Sequence, residues 1–290
     1  MKEELSFLQA VKIGKFTGYH LKMIALITMV IDHVAAVVLW RLYKASFDIR
    51  GGMYTSSAIS DQMIVWVSKH QELVYTIYEY MRIIGRMAFP IYCFLIVEGF
   101  LHTRNVGKYA LRLLLFAFLS EIPFDLAIAE TWLSFDYSNV FFTLCLGLLL
   151  LWGISFVEKF FLGDKEVAQN ADKFKEKSMI KKVLCVVIVI LWIIAFGILA
   201  ENVLHTDYGM AGILAILVIY LFRQSKELGF IASVFVLTFM SSSIEIMALL
   251  MLYPLMRYDG SRGKNVKYVF YAFYPLHLLV LALICMALGV

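Results

Sequence analysis

The chain has 290 residues, 62% of them apolar and only 17% charged, against roughly a quarter charged in an ordinary soluble domain. With 23 Phe and 16 Tyr, it lacks the polar side chains to cover a water-facing surface. That excludes a soluble globular enzyme, a disordered chain and a small disulfide-built secreted domain. The net charge of +4 is, in such a chain, the mark of cytoplasmic loops and not of a nucleic-acid partner.

The chain begins with an amphipathic stretch carrying Lys2, Lys12 and Lys15. The first apolar run, Leu21–Trp40, holds Asp32 and His33. No cleaved signal peptide needs those residues, so the run is expected to be a retained helix. A span takes about 20 apolar residues. Eight further candidates follow: Ile83–Leu101, Tyr109–Ile128, Val140–Phe160, Ile180–Leu199, Tyr208–Phe222, Leu228–Met240, Ile244–Met256 and Tyr268–Leu288. The seventh and eighth of the nine are short enough to be core helices or a re-entrant pair. The expected fold is an all-α polytopic membrane protein of about nine transmembrane helices, forming a single domain over 1–290.

Two connections stand out. The outer loop 42–82 contains the segment Ile64–Tyr80, where Lys69, His70, Glu72 and Glu79 interrupt the apolar run. An interfacial amphipathic helix is expected there in place of a tenth span. The inner loop 161–181 is dense in both charge signs and reads as a solvated cytoplasmic linker.

Placing the N-terminus inside and alternating puts nearly every Lys and Arg on the cytoplasmic side. The exceptions are Arg41, Lys44, Arg50, Lys69, Arg82 and Arg86. The positive-inside rule therefore supports a cytoplasmic N-terminus and an outside C-terminus. All four prolines, Pro90, Pro123, Pro254 and Pro275, fall in or at the end of spans and predict bends or breaks. Cys93, Cys145, Cys185 and Cys285 sit in apolar runs without CxxC spacing and read as small hydrophobes, not as disulfides or metal ligands.

Ionisable residues inside spans are costly and usually face a protein interior or a cavity. Three sets emerge. Asp32, His33 and, in the last span, His277 lie deep in the membrane, and two buried histidines on different helices suit proton transfer. Asp32 and His33 are neighbours, about 100° apart on a helix. A second set lies toward the outside: Arg86, Glu121, Asp125, Asn139, Glu201, His205, Asp207, Tyr208 and Glu245. It is either an ion-pair network locking helices or the wall of an outward-facing acceptor cavity. The third set lies toward the inside: Glu98, His102, Arg104, Lys108 and Arg112, joined by Arg262 and Lys264 of the turn 258–264. Cations beside flexed backbone suit an anionic ligand such as a phosphate.

The run Leu21-Lys22-Met23-Ile24-Ala25-Leu26 with Ile31-Asp32-His33 resembles the opening of the TraX family. The blocks Arg82 to Pro90, Val97-Glu98-Gly99-Phe100, His102-Thr103-Arg104-Asn105, Asn139 to Thr143, Asp207-Tyr208-Gly209, Tyr258 to Gly263 and Phe273 to His277 continue that resemblance in order. In the inner turn this chain has Asp259 where the family pattern has Asn.

The family is named for a conjugation protein linked to N-terminal acetylation of pilin. It is similar to the broader transmembrane acyltransferase superfamily. The resemblance implies transfer of an acetyl group from cytoplasmic acetyl-CoA across a bacterial inner membrane to an outside amine or hydroxyl. The acceptor would be a pilin-like protein, a sugar or a small molecule, and no metal would be needed. His33 maps to the catalytic histidine. Asp32 would orient or tune it, and His277 would donate a proton or polarise the thioester. Arg104, Lys108, Arg112, Arg262 and Lys264, with Glu98 and His102, would hold the CoA. Arg86, Glu121, Asp125, Asn139, His205, Asp207 and Tyr208 would face the acceptor. Direct transfer and an acetyl-histidine route both remain open, as does oligomeric state. The alternatives are a proton-coupled secondary transporter and a membrane scaffold.

Overall fold

A computed structural model describes residues 15–50, 58–134, 136–162, 174–264 and 267–290. The N-terminal lysines Lys2 and Lys12, and most of the charged inner loop 161–181, lie outside the described residues. Every regular element among the described residues is helical. In chain order these are α1 (Gly18–His33), a π-helical turn (Val34–Leu39), α2 (Trp40–Arg50), α3 (Ala58–Lys69), α4 (Gln71–Gly85) and α5 (Ala88–His102). Then come α6 (Val106–Phe124), a second π turn (Asp125–Ala129), α7 (Val140–Leu162), α8 (Phe174–Ile198) and a third π turn (Leu199–Val203). The chain finishes with α9 (Gly209–Leu221), α10 (Lys226–Met240), a 3₁₀ segment (Ser243–Met251), α11 (Leu252–Met256) and α12 (Lys267–Leu288).

Among the described residues, five stretches are long and apolar enough to cross a membrane: Gly18–Phe47, Gln71–His102, Val140–Phe161, Met179–Val203 and Tyr268–Leu288. Gly209–Leu221 and Ser243–Met256 are apolar but shorter. The other two expected passages are α6 with its π turn and α10. Only 17% of the Met179–Val203 stretch is buried inside the protein, so its apolar side chains face lipid, as a peripheral helix of a membrane bundle requires.

The connections sort into two ends. At one end, Phe16 donates to the Arg257 carbonyl at 3.1 Å, Gly18 to the Ser261 carbonyl at 2.8 Å, and Lys226 Nζ to the Tyr258 carbonyl at 2.6 Å. At the other, Arg41 Nη2 donates to the carbonyls of Leu126 and Ala127 at 2.8 and 2.7 Å, Lys44 pairs with Glu130, and Ser138 donates to the His205 carbonyl. Val290 joins this second end, its carbonyl 3.5 Å from Arg41 Nη1. The segments expected inside thus meet one another, as do those expected outside.

The local sequence explains the breaks. Asn105 caps α6 by accepting from the Lys108 amide at 2.8 Å, and Ser225 caps α10 by accepting from Leu228. Pro90 sits in the first turn of α5, where no intrahelical donor is needed, so the chain breaks just before it at Arg86–Met87. Pro123 immediately precedes the second π turn, and Pro254 falls where the 3₁₀ segment becomes α-helical. In place of one amphipathic helix over 64–80 there are two, α3 and α4, meeting at His70. Its ring stacks on Trp66 at 4.5 Å and bonds the Trp66 carbonyl, closing α3 on itself.

Gly85 is the place where α4 touches α1. A Cβ there would collide with the Asp32 side chain, so only glycine permits the approach. The packing places α1, α5, α6, α7 and α12 around a common space, while α9 lies against α5 and α7 and α10 packs mainly on α9.

Candidate active site

His33 is the last residue of α1, and His277 lies ten residues into α12. His33 Nδ1 and His277 Nε2 are 2.7 Å apart, with ring planes within 14° of parallel. His277 Nδ1 is 2.9 Å from the Phe273 carbonyl. A carbonyl only accepts, so in the neutral pair His277 carries its proton on Nδ1 and accepts at Nε2. His33 is then protonated at Nδ1, and its Nε2 keeps a free lone pair. The pair presents one oriented base.

On the outer side, Asp32 is held by two arginines. Its Oδ2 accepts from Arg82 Nη1 at 2.7 Å and its Oδ1 from Arg86 Nη2 at 3.1 Å. Arg86 Nη1 reaches Glu245 Oε1 at 3.1 Å, and Arg86 Nε donates to the Arg82 carbonyl. Glu245 is fully buried. Two cations thus balance two carboxylates, which is the condition for keeping such charges away from water. Beside them the Tyr137 hydroxyl donates to the Asp207 carboxylate, and Tyr208 lies flat on Phe89 with centroids 3.5 Å apart.

On the inner side a cavity of about 450 Å³ opens between α1, α5, α6, α7 and α12. Its cationic lining is Lys22, Arg112 and Arg262, with His102 beside them; deeper in, it is lined by Met29, Tyr92, Phe141, Leu144 and Tyr274. Tyr258 also lines it and donates to Glu98 at 3.2 Å. The turn after α11 straps the mouth. Gly260 and Gly263 have φ of +79° and +68°, and Asp259 accepts from the Ser261 amide at 2.8 Å, a turn that Asp and Asn both form. The Ser261 side chain, and then its amide, hold the Asp259 carboxyl below its usual range. Tyr274 closes the deep end. Its ring is 6.1 Å from that of His33 and 5.6 Å from that of His277, both edge-on. Neither histidine lines the cavity.

The TraX family, described as "TraX protein", has a sequence model matching residues 17–285. The chain belongs to the TraX family. This TraX chain is also similar to the "Probable fimbrial assembly protein FimC, serogroup H1" of Dichelobacter nodosus. The two are 32% identical over 147 residues, covering 47% of this chain and 46% of that protein. The match spans about half the length of that relative. No solved structure matches.

Several expected residues of this TraX chain take other places. Asp32 does not orient His33, because successive helix positions point apart and Asp32 faces Arg82 and Arg86. His277 meets His33 directly, a contact the sequence did not foretell. Arg86 spends its guanidinium on Asp32, Glu245 and the Arg82 carbonyl, so it is a clamp and not a wall of an acceptor cavity. The Asn139 amide is buried against Glu121 and the Ala117 carbonyl. Asp125 accepts from Ser134, with its Oδ1 buried and unpartnered. His205 has an exposed side chain and a φ of +44°. Glu98, His102, Arg112 and Arg262 line the cavity, but Arg104, Lys108 and Lys264 do not; Lys264 lies over the Tyr19 ring. Lys22, Arg82, Tyr258 and Tyr274 went unread as site residues. For Tyr274 the available signal is its spacing, one turn before His277 on the same helix face.

Proposed function

We propose that this TraX chain is a membrane-embedded acyltransferase of a bacterial inner membrane. It takes an acetyl group from cytoplasmic acetyl-CoA and places it on an amine or hydroxyl presented from the opposite side. The observation that carries this reading is the cavity that is cationic at one end and stops at Tyr274, with the His33–His277 pair directly behind that ring. Lys22, Arg112 and Arg262 suit the phosphates of CoA. Arg112 Nε is buried without a hydrogen-bond partner, as a donor awaiting an anion would be. The apolar deep half suits the uncharged arm.

Acetyl-CoA supplies an activated acyl carbon. His33 Nε2 takes the proton from the acceptor as the new bond to that carbon forms and the carbon–sulfur bond breaks. The proton held on His33 balances the departing thiolate. His277 keeps the ring aligned and accepts from Nδ1–H throughout, which favours the charged form of His33 as it develops. The fimbrial assembly relative supports an acceptor of the pilin class.

The test is titration of purified full-length protein with acetyl-CoA by calorimetry. Saturable binding is expected, weakened about tenfold in Arg262→Ala by loss of a charge-assisted hydrogen bond. Absence of binding at millimolar acetyl-CoA overturns the reading and leaves proton-coupled transport for flux assays. His33→Ala is expected to lower acetyl-CoA consumption, in membranes that contain the native acceptor, by about 10²–10⁴-fold while the protein stays folded. Retained turnover removes His33 from the mechanism.

A further inference from the structure

The deep end of the cavity bears on which acyl groups the site accepts. Tyr274 is only 4% exposed. Its ring is fixed from several sides. Phe141 packs edge-on at 5.0 Å, and His33 and His277 lie behind it at 6.1 and 5.6 Å. Phe141 is itself set against Tyr271, which stacks on Phe116 at 5.0 Å. The wall therefore cannot retreat as a unit without unpacking α6 and α7 from α12. Tyr274 lines the cavity and the histidines do not, and its ring is the part of the lining in edge contact with His33.

We propose that the Tyr274 ring is the acyl-length determinant of this site: a thioester from the inner cavity can bring a two-carbon acyl group past its edge to His33, and a longer chain runs into the ring. This rests on the acyltransferase reading. The physical cause is packing. A side chain held by close-packed neighbours in a dense interior cannot make room for further methylenes without strain. Met29 on α1 and Leu144 on α7 line the same space beside it. The tyrosine ring does the excluding, so the hydroxyl is dispensable for selection.

The experiment is a calorimetric titration of purified full-length protein with acetyl-, butyryl- and octanoyl-CoA. Wild type is expected to favour acetyl-CoA over octanoyl-CoA by about tenfold or more, the scale of discrimination a packed pocket gives. Tyr274→Ala is expected to erase or reverse that preference, and Tyr274→Phe to keep it. Tyr274→Leu serves where the alanine variant does not fold, with the same expected loss. The proposal is overturned if wild type binds all three alike, if the alanine or leucine variant keeps the wild-type preference, or if Tyr274→Phe loses it. Those outcomes leave the acyltransferase reading standing, because acetyl-CoA still binds. Failure of wild type to bind any of the three thioesters overturns that reading, and this one with it.

Discussion

The two halves of the membrane-embedded part use their charges in opposite ways. In the outer half, Arg82, Arg86, Asp32 and Glu245 neutralise one another at 2.7–3.1 Å, and Arg41 is spent on backbone carbonyls. In the inner half, Lys22, Arg112 and Arg262 line the cavity, and Arg112 also meets the Tyr271 side chain. Charges paired with opposite charges hold helices together, whereas charges that line a cavity can reach a ligand. The contrast separates residues whose loss should cost stability from residues whose loss should cost binding.

The sharpest way to break that contrast is Arg86→Ala. It leaves Asp32 short of a partner and Glu245 buried without one, and a broken buried pair costs about 3–5 kcal/mol. Thermal unfolding in detergent or nanodiscs should show that loss. In Arg262→Ala, by contrast, the larger effect should be the fall in acetyl-CoA affinity, with a smaller drop in unfolding temperature than in Arg86→Ala. Equal stability losses in the two would erase the distinction.

Gly85→Ala comes next. Its new methyl meets Asp32, and overpacking of this kind costs about 1–3 kcal/mol. Arg86→Ala should relieve part of that cost in the double variant, because Asp32 is then held by Arg82 alone. Arg41→Ala leaves the carbonyls of Leu126 and Ala127 without their donor, for about 1–3 kcal/mol. It should show first as faster amide exchange around the second π turn.

The smallest effect is expected at Glu130, outside the spans. The hydrogen bond from Lys44, with the charges of Lys44 and Arg41, holds its carboxyl below the usual range. A depressed carboxylate stabilises the fold above its unfolded pKa, and that contribution is lost as pH falls through the folded one. Glu130→Gln should therefore lower stability slightly at neutral pH, leave it unchanged below the folded pKa, and so flatten the acid side of the stability profile. An unaltered acid limb would show that the pair contributes nothing.

The order of the helices and the sorting of their ends were legible because hydropathy and lysine placement respond directly to the bilayer. His33 and His277 were legible for the same reason: an ionisable group in an apolar run is costly and calls for a cause. Their contact was not, since they stand 244 residues apart and no spacing fixes how α1 and α12 rotate against each other. The exceptions to the positive-inside pattern held more information than they were given. Arg41, Lys44, Arg82 and Arg86 fall on the outer side because each has a structural partner there. Tyr274 was hidden by its ordinariness, being one aromatic among many until the cavity ended on it.

The ring of Tyr274 also has an electrical consequence. Arg82, partly exposed, stands beyond the histidines on one side, and Arg262 lines the mouth on the other. A continuous file of water between them, passing two imidazoles, would conduct protons and drain whatever gradient the membrane stores. With that ring in edge contact with His33 and Phe141, any such file is narrowed to the gap along the ring's edge, which limits the leak across the bilayer.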